Sequence, residues 1–128
     1  MNVIRPMVNR DSEFFWDGAQ EKELRIQSCA ACGVLRHPPG PACPACGAFD
    51  RTHVVASGLG TVFSHVVHHH PPVPGKELPL VLALIDLDEG VRMVGEVPGE
   101  LDLAIGDRVR VDWQVIDDEL TLPIWRRA

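Results

Sequence analysis

Aromatic residues are scarce in this sequence, and long apolar runs are missing from it. There is no tyrosine among the 128 residues, and aromatic residues make up 5% of the total. No segment approaches the roughly 20 apolar residues that a membrane-spanning helix requires. The first fifteen residues carry several charges and no apolar run, so they do not resemble a secretory signal. We therefore expect a cytoplasmic protein without a membrane span, in which cysteines stay reduced.

Positive charge is also in short supply. Lysine and arginine total 12 against 18 aspartates and glutamates, which gives a formal net charge of −6. The basic residues are scattered, and the densest pair, Arg126-Arg127, lies near the C-terminal end. A protein without a basic stripe repels a phosphate backbone. Binding to nucleic acid is therefore not expected.

A recognisable catalytic group is lacking as well. Ser57, Ser64 and the carboxylates of Asp86, Asp88 and Glu89 have no spacing typical of an activated nucleophile or an acid–base pair. The sequence has no glycine-rich phosphate-binding loop. We predict no catalytic residue, and we do not expect the chain to be an enzyme by itself.

The sequence does contain a repeated cysteine pattern, in residues 29–33 (CAACG) and 43–47 (CPACG). Two cysteines separated by two residues can point at one ion because the chain between them turns tightly. The glycine after each pair allows a positive φ that closes the turn. Four thiolates in a tetrahedron suit zinc or a single iron ion. The predicted metal ligands are Cys29, Cys32, Cys43 and Cys46.

Zinc is the favoured metal, with iron and with disulfide or thiol chemistry as the alternatives. Disulfides within C-x-x-C pairs are redox-active rather than structural, and two such pairs in one cytoplasmic domain would be unusual. Four cysteines fill every position around a tetrahedral ion and leave none for water, so the zinc is predicted to be structural. His37 and His53 flank the cysteines, but four cysteines leave no need for another ligand.

Three segments of different character follow one another along the chain. Residues 1–23 form an N-terminal helical segment, with a helix predicted over 11–22 and Asp11 or Ser12 at its N-cap. Residues 24–56 carry the cysteines and are rich in proline and glycine, which indicates a zinc ribbon. Residues 57–128 have the pattern of short strands separated by turns. We predict five strands there, over 61–67, 80–88, 91–97, 108–115 and 120–125.

Five short strands in this last segment predict a small antiparallel barrel of the oligonucleotide/oligosaccharide-binding (OB) type. The predicted fold class is mainly β, with an N-terminal helix, a rubredoxin-like zinc ribbon and then a five-stranded OB-fold barrel. Residues 108–115 (RVRVDWQV) alternate strictly, so Val109, Val111, Trp113 and Val115 are expected to be buried. Pro123 cannot donate to a ladder, which favours an edge position for the last strand.

The predicted helix carries three adjacent aromatic residues, Phe14, Phe15 and Trp16. These side chains spread around most of the helix circumference, so we expect that they cannot all pack on the chain's own core. In a protein poor in aromatic residues, this excess favours a protein interface.

The connection over residues 68–79 is too rich in proline for a helix or a strand. Consecutive histidines cannot easily converge on one ion, and no neighbouring carboxylate orients an imidazole. We predict a ligand- or partner-facing loop here. Its candidate residues are His68, His69, His70 and Lys76.

The order of these parts resembles a known family. The resemblance rests on the CxxCG and CPxCG pairs, on G-x-G-x-V-x-S over residues 58–64, on L-D-E-G-V-R over 87–92 and on the G-D-R-V turn over 106–109. Together these motifs resemble, over essentially the whole chain, the zinc-ribbon/OB-fold family of acyl-CoA-associated proteins.

Members of that family are typically non-catalytic partners of thiolase-fold enzymes, including lipid-transfer-protein-like thiolases. One branch is the small subunit of steroid side-chain aldolases. The resemblance implies a hetero-oligomer with a thiolase-fold protein, acyl-CoA at the shared interface, and in the steroid branch a retro-aldol cleavage. Two other functions remain open at this point: a nucleic-acid-binding ribbon and OB module, and a rubredoxin-like electron carrier, which would need iron.

Overall fold

A computed structural model describes residues 3–128, which form one short helix and eight strands. The predicted fold class is confirmed: the chain is mostly β, with a short N-terminal helix, a ribbon and a nearly closed five-stranded barrel. The five strands predicted after residue 57 are present, with ends that differ by at most a few residues. The elements are α1 (Glu13–Gln20), β1 (Arg25–Cys29), β2 (Leu35–Arg36), β3 (Arg51–Val55), β4 (Leu59–His68), β5 (Leu80–Leu87), β6 (Arg92–Glu96), β7 (Arg108–Val115) and β8 (Thr121–Arg127).

Helix α1 is shorter than the predicted range. Ser12 occupies the N-cap position but makes no side-chain cap bond; instead the Asn9 side-chain oxygen accepts from the backbone N–H groups of Asp11 and Ser12, both at 3.0 Å. Gly18 is buried within the helix, where a Cβ would overlap the Arg25 side chain. The glycine thus permits close packing of β1. No helix in residues 3–128 is long and apolar enough to cross a membrane.

The ribbon sheet has the order β2-β1-β3, with both pairs antiparallel. Its central strand β1 is buried over Ile26–Cys29, whereas the outer strand β3 is exposed over most of its length. Leu24 and Ile26 belong to the same apolar cluster as Val62 and Ile85 of the barrel. The ribbon therefore packs directly on the barrel core.

The barrel sheet has the order β6-β5-β4-β7-β8, entirely antiparallel, which places β6 and β8 at its two edges. This position of β8 agrees with the edge expected from Pro123. A Cβ at Gly95 in β6 would overlap the Trp125 indole of β8, and Trp125 is fully buried. A glycine at this point lets the two edges approach, because a side chain would hold them apart.

The predicted burial of alternate residues along β7 is only partly right. Val109 is buried and Arg108 and Arg110 are exposed, as expected, but Trp113 is only half-buried and Val115 is 60% exposed. Strand β4 pairs with β7 only as far as Arg110, so the rest of β7 has a neighbouring strand on one side alone. The expectation that Val115 is buried is wrong, because the neighbouring strand β4 stops pairing with β7 before this residue.

Candidate metal centre and adjoining surfaces

The four cysteine sulfurs converge at one end of the ribbon sheet. All four Sγ atoms lie within 4.8 Å of one another, and the Cys29–Cys46 and Cys32–Cys43 pairs are each 3.6 Å apart. Tetrahedral zinc with Zn–S bonds of about 2.3 Å would hold its sulfurs about 3.8 Å apart. The observed spacings therefore fit one tetrahedral ion, while the cysteines form no disulfide.

Two turns of the same design present these sulfurs. Gly33 N–H donates to the Cys29 carbonyl and Gly47 N–H to the Cys43 carbonyl, both at 2.9 Å. The two glycines have φ values of +80° and +77°, in the left-handed region that favours glycine. The repeated glycine seen in the sequence thus has a backbone reason, since each one closes a cysteine turn.

Backbone amides also tune the thiols. The Cys46 amide lowers the pKa of the Cys43 thiol to about 6, and the Cys32 amide lowers the pKa of Cys29. The Val34 amide lowers the pKa of the Cys32 thiol, but burial and the neighbouring thiols have the larger effect. Together they raise the pKa of Cys32 to about 12. Four sulfurs this close cannot all carry negative charge by themselves. A divalent cation would offset that repulsion and favour four thiolates.

A buried glutamine holds the chain between the two cysteine turns. The Gln27 side-chain amide donates to the Gly40 carbonyl at 2.7 Å and accepts from the Gly40 N–H at 2.9 Å. An Arg36 N–H group donates to the Ala42 carbonyl next to the second turn. Our sequence reasoning missed Gln27. The available signal was a single amide side chain within the strand RIQSC, where a buried polar group needs partners.

The three aromatic residues of α1 pack more completely than expected. Phe15 is buried in the core, with the Trp16 ring edge-on to it at 5.1 Å. Phe14 stacks on His53 at 5.7 Å, and both Phe14 and Trp16 lie against the core cluster. The expectation that the three cannot all pack on their own chain is therefore wrong, because the ribbon covers the helix face that the barrel does not. The predicted interface is left with the exposed parts of Phe14 and Trp16.

The loop over residues 68–79 contains a charge pair that the sequence did not indicate. Lys76 Nζ lies 2.7 Å from a carboxylate oxygen of Glu96, and each side chain is only 18% exposed. The His68 ring bonds the Pro71 carbonyl at 2.7 Å, while His69 and His70 are exposed. The structure therefore gives Lys76 a partner and directs it towards the barrel.

Lys76 lines an open cleft of about 630 Å³ at the side of the barrel. One wall comes from the end of the 68–79 loop, a second from Glu96 and the start of the β6–β7 connection, and a third from β7 and β8. The cleft lies between the two edge strands of the barrel sheet, beyond the point where Gly95 and Trp125 close together.

Comparison with family models gives two matches in the order ribbon, then barrel. Residues 16–50 match the model described as "ChsH2, rubredoxin-like zinc ribbon domain". Residues 53–114 match the model described as "ChsH2, C-terminal OB-fold domain". The prediction of a structural zinc ribbon with four clustered cysteines is thereby confirmed.

Similar proteins include two curated relatives and one solved structure. The "probable enoyl-CoA hydratase alpha subunit" of Thermomonospora curvata is 50% identical over 97% of this chain and 40% of the relative. The "3-oxo-4,17-pregnadiene-20-carboxyl-CoA hydratase alpha subunit" of Mycobacterium tuberculosis is 51% identical over 87% of this chain and 36% of the relative. The chain thus spans well under half the length of both.

The solved structure is described as "Ltp2-ChsH2(DUF35) aldolase". One of its chains superposes with a TM-score of 0.91 at 50% identity, and the match covers 96% of this chain and 98% of that one. Agreement over nearly the full length of both chains extends to the ribbon and the barrel alike.

Proposed function

Since the chain belongs to the ChsH2 family of zinc-ribbon and OB-fold domains, we propose that it is an accessory subunit of an acyl-CoA-processing complex, without catalytic residues of its own. Its partner is a thiolase-fold protein that supplies the catalytic groups. The observation that carries this proposal is the end-to-end similarity to a chain of the Ltp2-ChsH2(DUF35) aldolase. The hydratase names of the two longer relatives describe proteins of which this chain matches only a part.

The substrate follows from the same relatives. An enoyl-CoA and a pregnadiene-carboxyl-CoA are both CoA thioesters, and the second has a steroid body. The complex is therefore proposed to act on the β-hydroxyacyl-CoA that hydration of such a steroid thioester gives. Retro-aldol cleavage breaks its Cα–Cβ bond, the hydroxyl-bearing Cβ becomes a ketone carbonyl, and Cα receives a proton.

The zinc has a structural role in this proposal. Its proposed ligands are Cys29, Cys32, Cys43 and Cys46, which leave no coordination position for water or substrate. The segments 1–23, 24–56 and 57–128 are proposed as helical segment, ribbon and barrel. The two separate sheets, one within residues 25–55 and the other within residues 59–127, support this division.

The contacts of the candidate nucleophile and acid support a non-catalytic role. Ser57 Oγ accepts from the Leu59 N–H at 3.2 Å, and Glu89 accepts from the Ser57 N–H at 2.8 Å. Both side chains thus hold the link between ribbon and barrel. In residues 3–128 these groups bond the backbone and not an acid–base partner.

Neither alternative function gains support from the geometry. Arginines on the outside of the barrel are paired with aspartates, as in Arg92–Asp86 at 2.7 Å and Arg108–Asp88 at 2.8 Å. Such pairs leave little free positive charge for a phosphate backbone. An electron carrier would need iron in the ribbon, and the colour of the purified protein distinguishes red iron–thiolate from colourless zinc.

Co-purification with a thiolase-fold partner tests the proposal. We expect a stable complex on size-exclusion chromatography, and turnover of the steroid thioester by the complex but not by either chain alone. Replacing Phe14 and Trp16 with serine should weaken the complex while the zinc content stays at one per chain. Phe49→Ser, at a residue 76% exposed in the ribbon, is the control for loss of a surface aromatic residue. Carbon–carbon cleavage of the steroid thioester by the isolated chain would refute the accessory role.

A further inference from the structure

The lining of the cleft between β6 and β8 exposes apolar and polar surface in about equal parts. Val81 and Ile124 lie at its base and are almost fully buried, while Trp113 is half-buried and Leu101 at the rim is 56% exposed. Its volume of about 630 Å³ lies within the range of roughly 300–1,000 Å³ usual for small-molecule sites. The apolar part of this lining gains free energy when an apolar ligand removes it from water.

The charges in the cleft neutralise one another. Lys76 pairs with Glu96 at 2.7 Å, and Arg126, which also lines the cleft, pairs with Asp112 at 2.5 Å. Glu77 adds a further carboxylate to the lining. A phosphate group entering here would meet cations that are already paired, together with two carboxylates, so electrostatics oppose its binding.

Hydrogen-bond donors are nevertheless available to an uncharged ligand. Lys76 uses one of its three N–H donors on Glu96. The half-buried side chain of Gln114 also lines the cleft and carries two amide N–H donors. A carbonyl oxygen on an otherwise apolar body would find donors here without a charge having to be buried.

We propose that this cleft binds the apolar acyl body of a CoA thioester and excludes the phosphate-bearing end. This inference rests on the proposed function, because that function supplies the thioester. The apolar base and Trp113 contact the ring system, and Gln114 donates to the ring carbonyl oxygen. The nucleotide lies outside the cleft.

Binding measurements on the whole chain with three probes test the proposal. The probes are 3-oxo-4,17-pregnadiene-20-carboxyl-CoA, the corresponding free steroid acid and free CoA. We expect the thioester and the free acid to bind with Kd values within about tenfold of each other, and free CoA not to compete. Equal competition by free CoA, or no binding of either steroid probe, would overturn the proposal.

Two variants in the same connection provide a matched comparison. Leu101→Glu places a carboxylate at the rim of the cleft, whereas Ile105→Glu places one at a residue that is 71% exposed and does not line the cleft. The first should weaken steroid binding by about tenfold or more and the second should leave it unchanged. Because both positions are exposed, both proteins should fold. Equal affinity in the two variants would contradict the assignment of the cleft.

The failure of this inference can be told apart from that of the proposed function. If the complex with the thiolase-fold partner forms and turns over while the cleft fails to bind the steroid probes, the inference alone is wrong. If no complex or turnover is found, the accessory role is wrong. Gln114→Leu adds a third readout. It should weaken binding of the 3-oxo probe and leave the binding of an analogue without the ring carbonyl unchanged.

Discussion

In the ribbon sheet only the central strand is buried, whereas in the barrel every strand contributes at least one buried side chain. The outer strands β2 and β3 are half-buried or exposed, and polar contacts such as Gln27–Gly40 hold the connection between them. Strand β5 of the barrel instead alternates between buried and half-buried residues along its length. The ribbon depends on a few specific polar and metal contacts, while the barrel depends on distributed apolar packing.

Of the changes considered, loss of a zinc ligand should have the largest effect, and it should act on the ribbon. Cys43→Ala removes one of four thiolates, so zinc should be lost and the ribbon over residues 24–56 should unfold, because the metal holds its two cysteine turns together. Elemental analysis and hydrogen exchange measure zinc content and protection. Pro44→Ala, in the same turn but outside the ligand set, should retain one zinc per chain. Full exchange protection of residues 24–56 in a zinc-free Cys43→Ala protein would contradict this account.

A large cavity should have the next largest effect, on the barrel side of the comparison. Trp125 is fully buried, so Trp125→Ala should lower the free energy of unfolding by about 3–5 kcal/mol. Trp113 is half-buried at the cleft, and its replacement by alanine should cost clearly less. Urea unfolding followed by circular dichroism gives both values. Equal losses would mean that the far half of β7 is as well packed as the core.

Removing the buried amide tests whether polar contacts hold the ribbon. Gln27→Leu keeps the volume but leaves the N–H and C=O groups of Gly40 without their partner, so stability should fall by about 1–3 kcal/mol. Thr52→Val, at an exposed residue of β3, is the control and should stay within about 0.5 kcal/mol of the parent. A neutral Gln27→Leu would indicate that water replaces the amide.

The smallest expected effect concerns a surface pair. The Arg5 guanidinium, together with the Glu119 amide, lowers the pKa of Asp117 to about 2. A lowered folded-state pKa contributes stability that is present above the ordinary carboxyl pKa of about 4 and is lost as the pH falls towards 2. Arg5→Met should raise the pKa of Asp117 towards its ordinary value, as NMR titration would detect. An unchanged pKa would assign the shift to the backbone amides alone.

Local chemistry was predictable from the sequence, and long-range pairing was not. The spacing of Cys29, Cys32, Cys43 and Cys46 predicted the cluster because each pair is a local turn with its own glycine. The bounds of β7 were also predictable, since alternation is a property of neighbouring residues. The exposure of Val115 was not, because it depends on where another strand, β4, stops pairing with β7.

The hydrogen-bond and ion-pair partners of polar side chains could not be predicted from the sequence either. Lys76 and Glu96 are 20 residues apart, and Gln27 and Gly40 are 13 apart. No periodicity connects such positions, so only the folded chain reveals that Lys76 is paired and that Gln27 is buried. The aromatic helix was misjudged for the same reason, because the ribbon surface that covers Phe14 forms only after folding.

Leu24 and Ile26 place the first ribbon strand in the same apolar cluster as the barrel residues Val62 and Ile85. Deleting the ribbon would therefore expose apolar surface of the barrel core to water. The remaining residues 57–128 should then aggregate rather than form a soluble module. By the same packing, thermal unfolding should follow one cooperative transition instead of two. Zinc chelation should lower the melting temperature of the barrel as well, although the barrel contains no metal ligand.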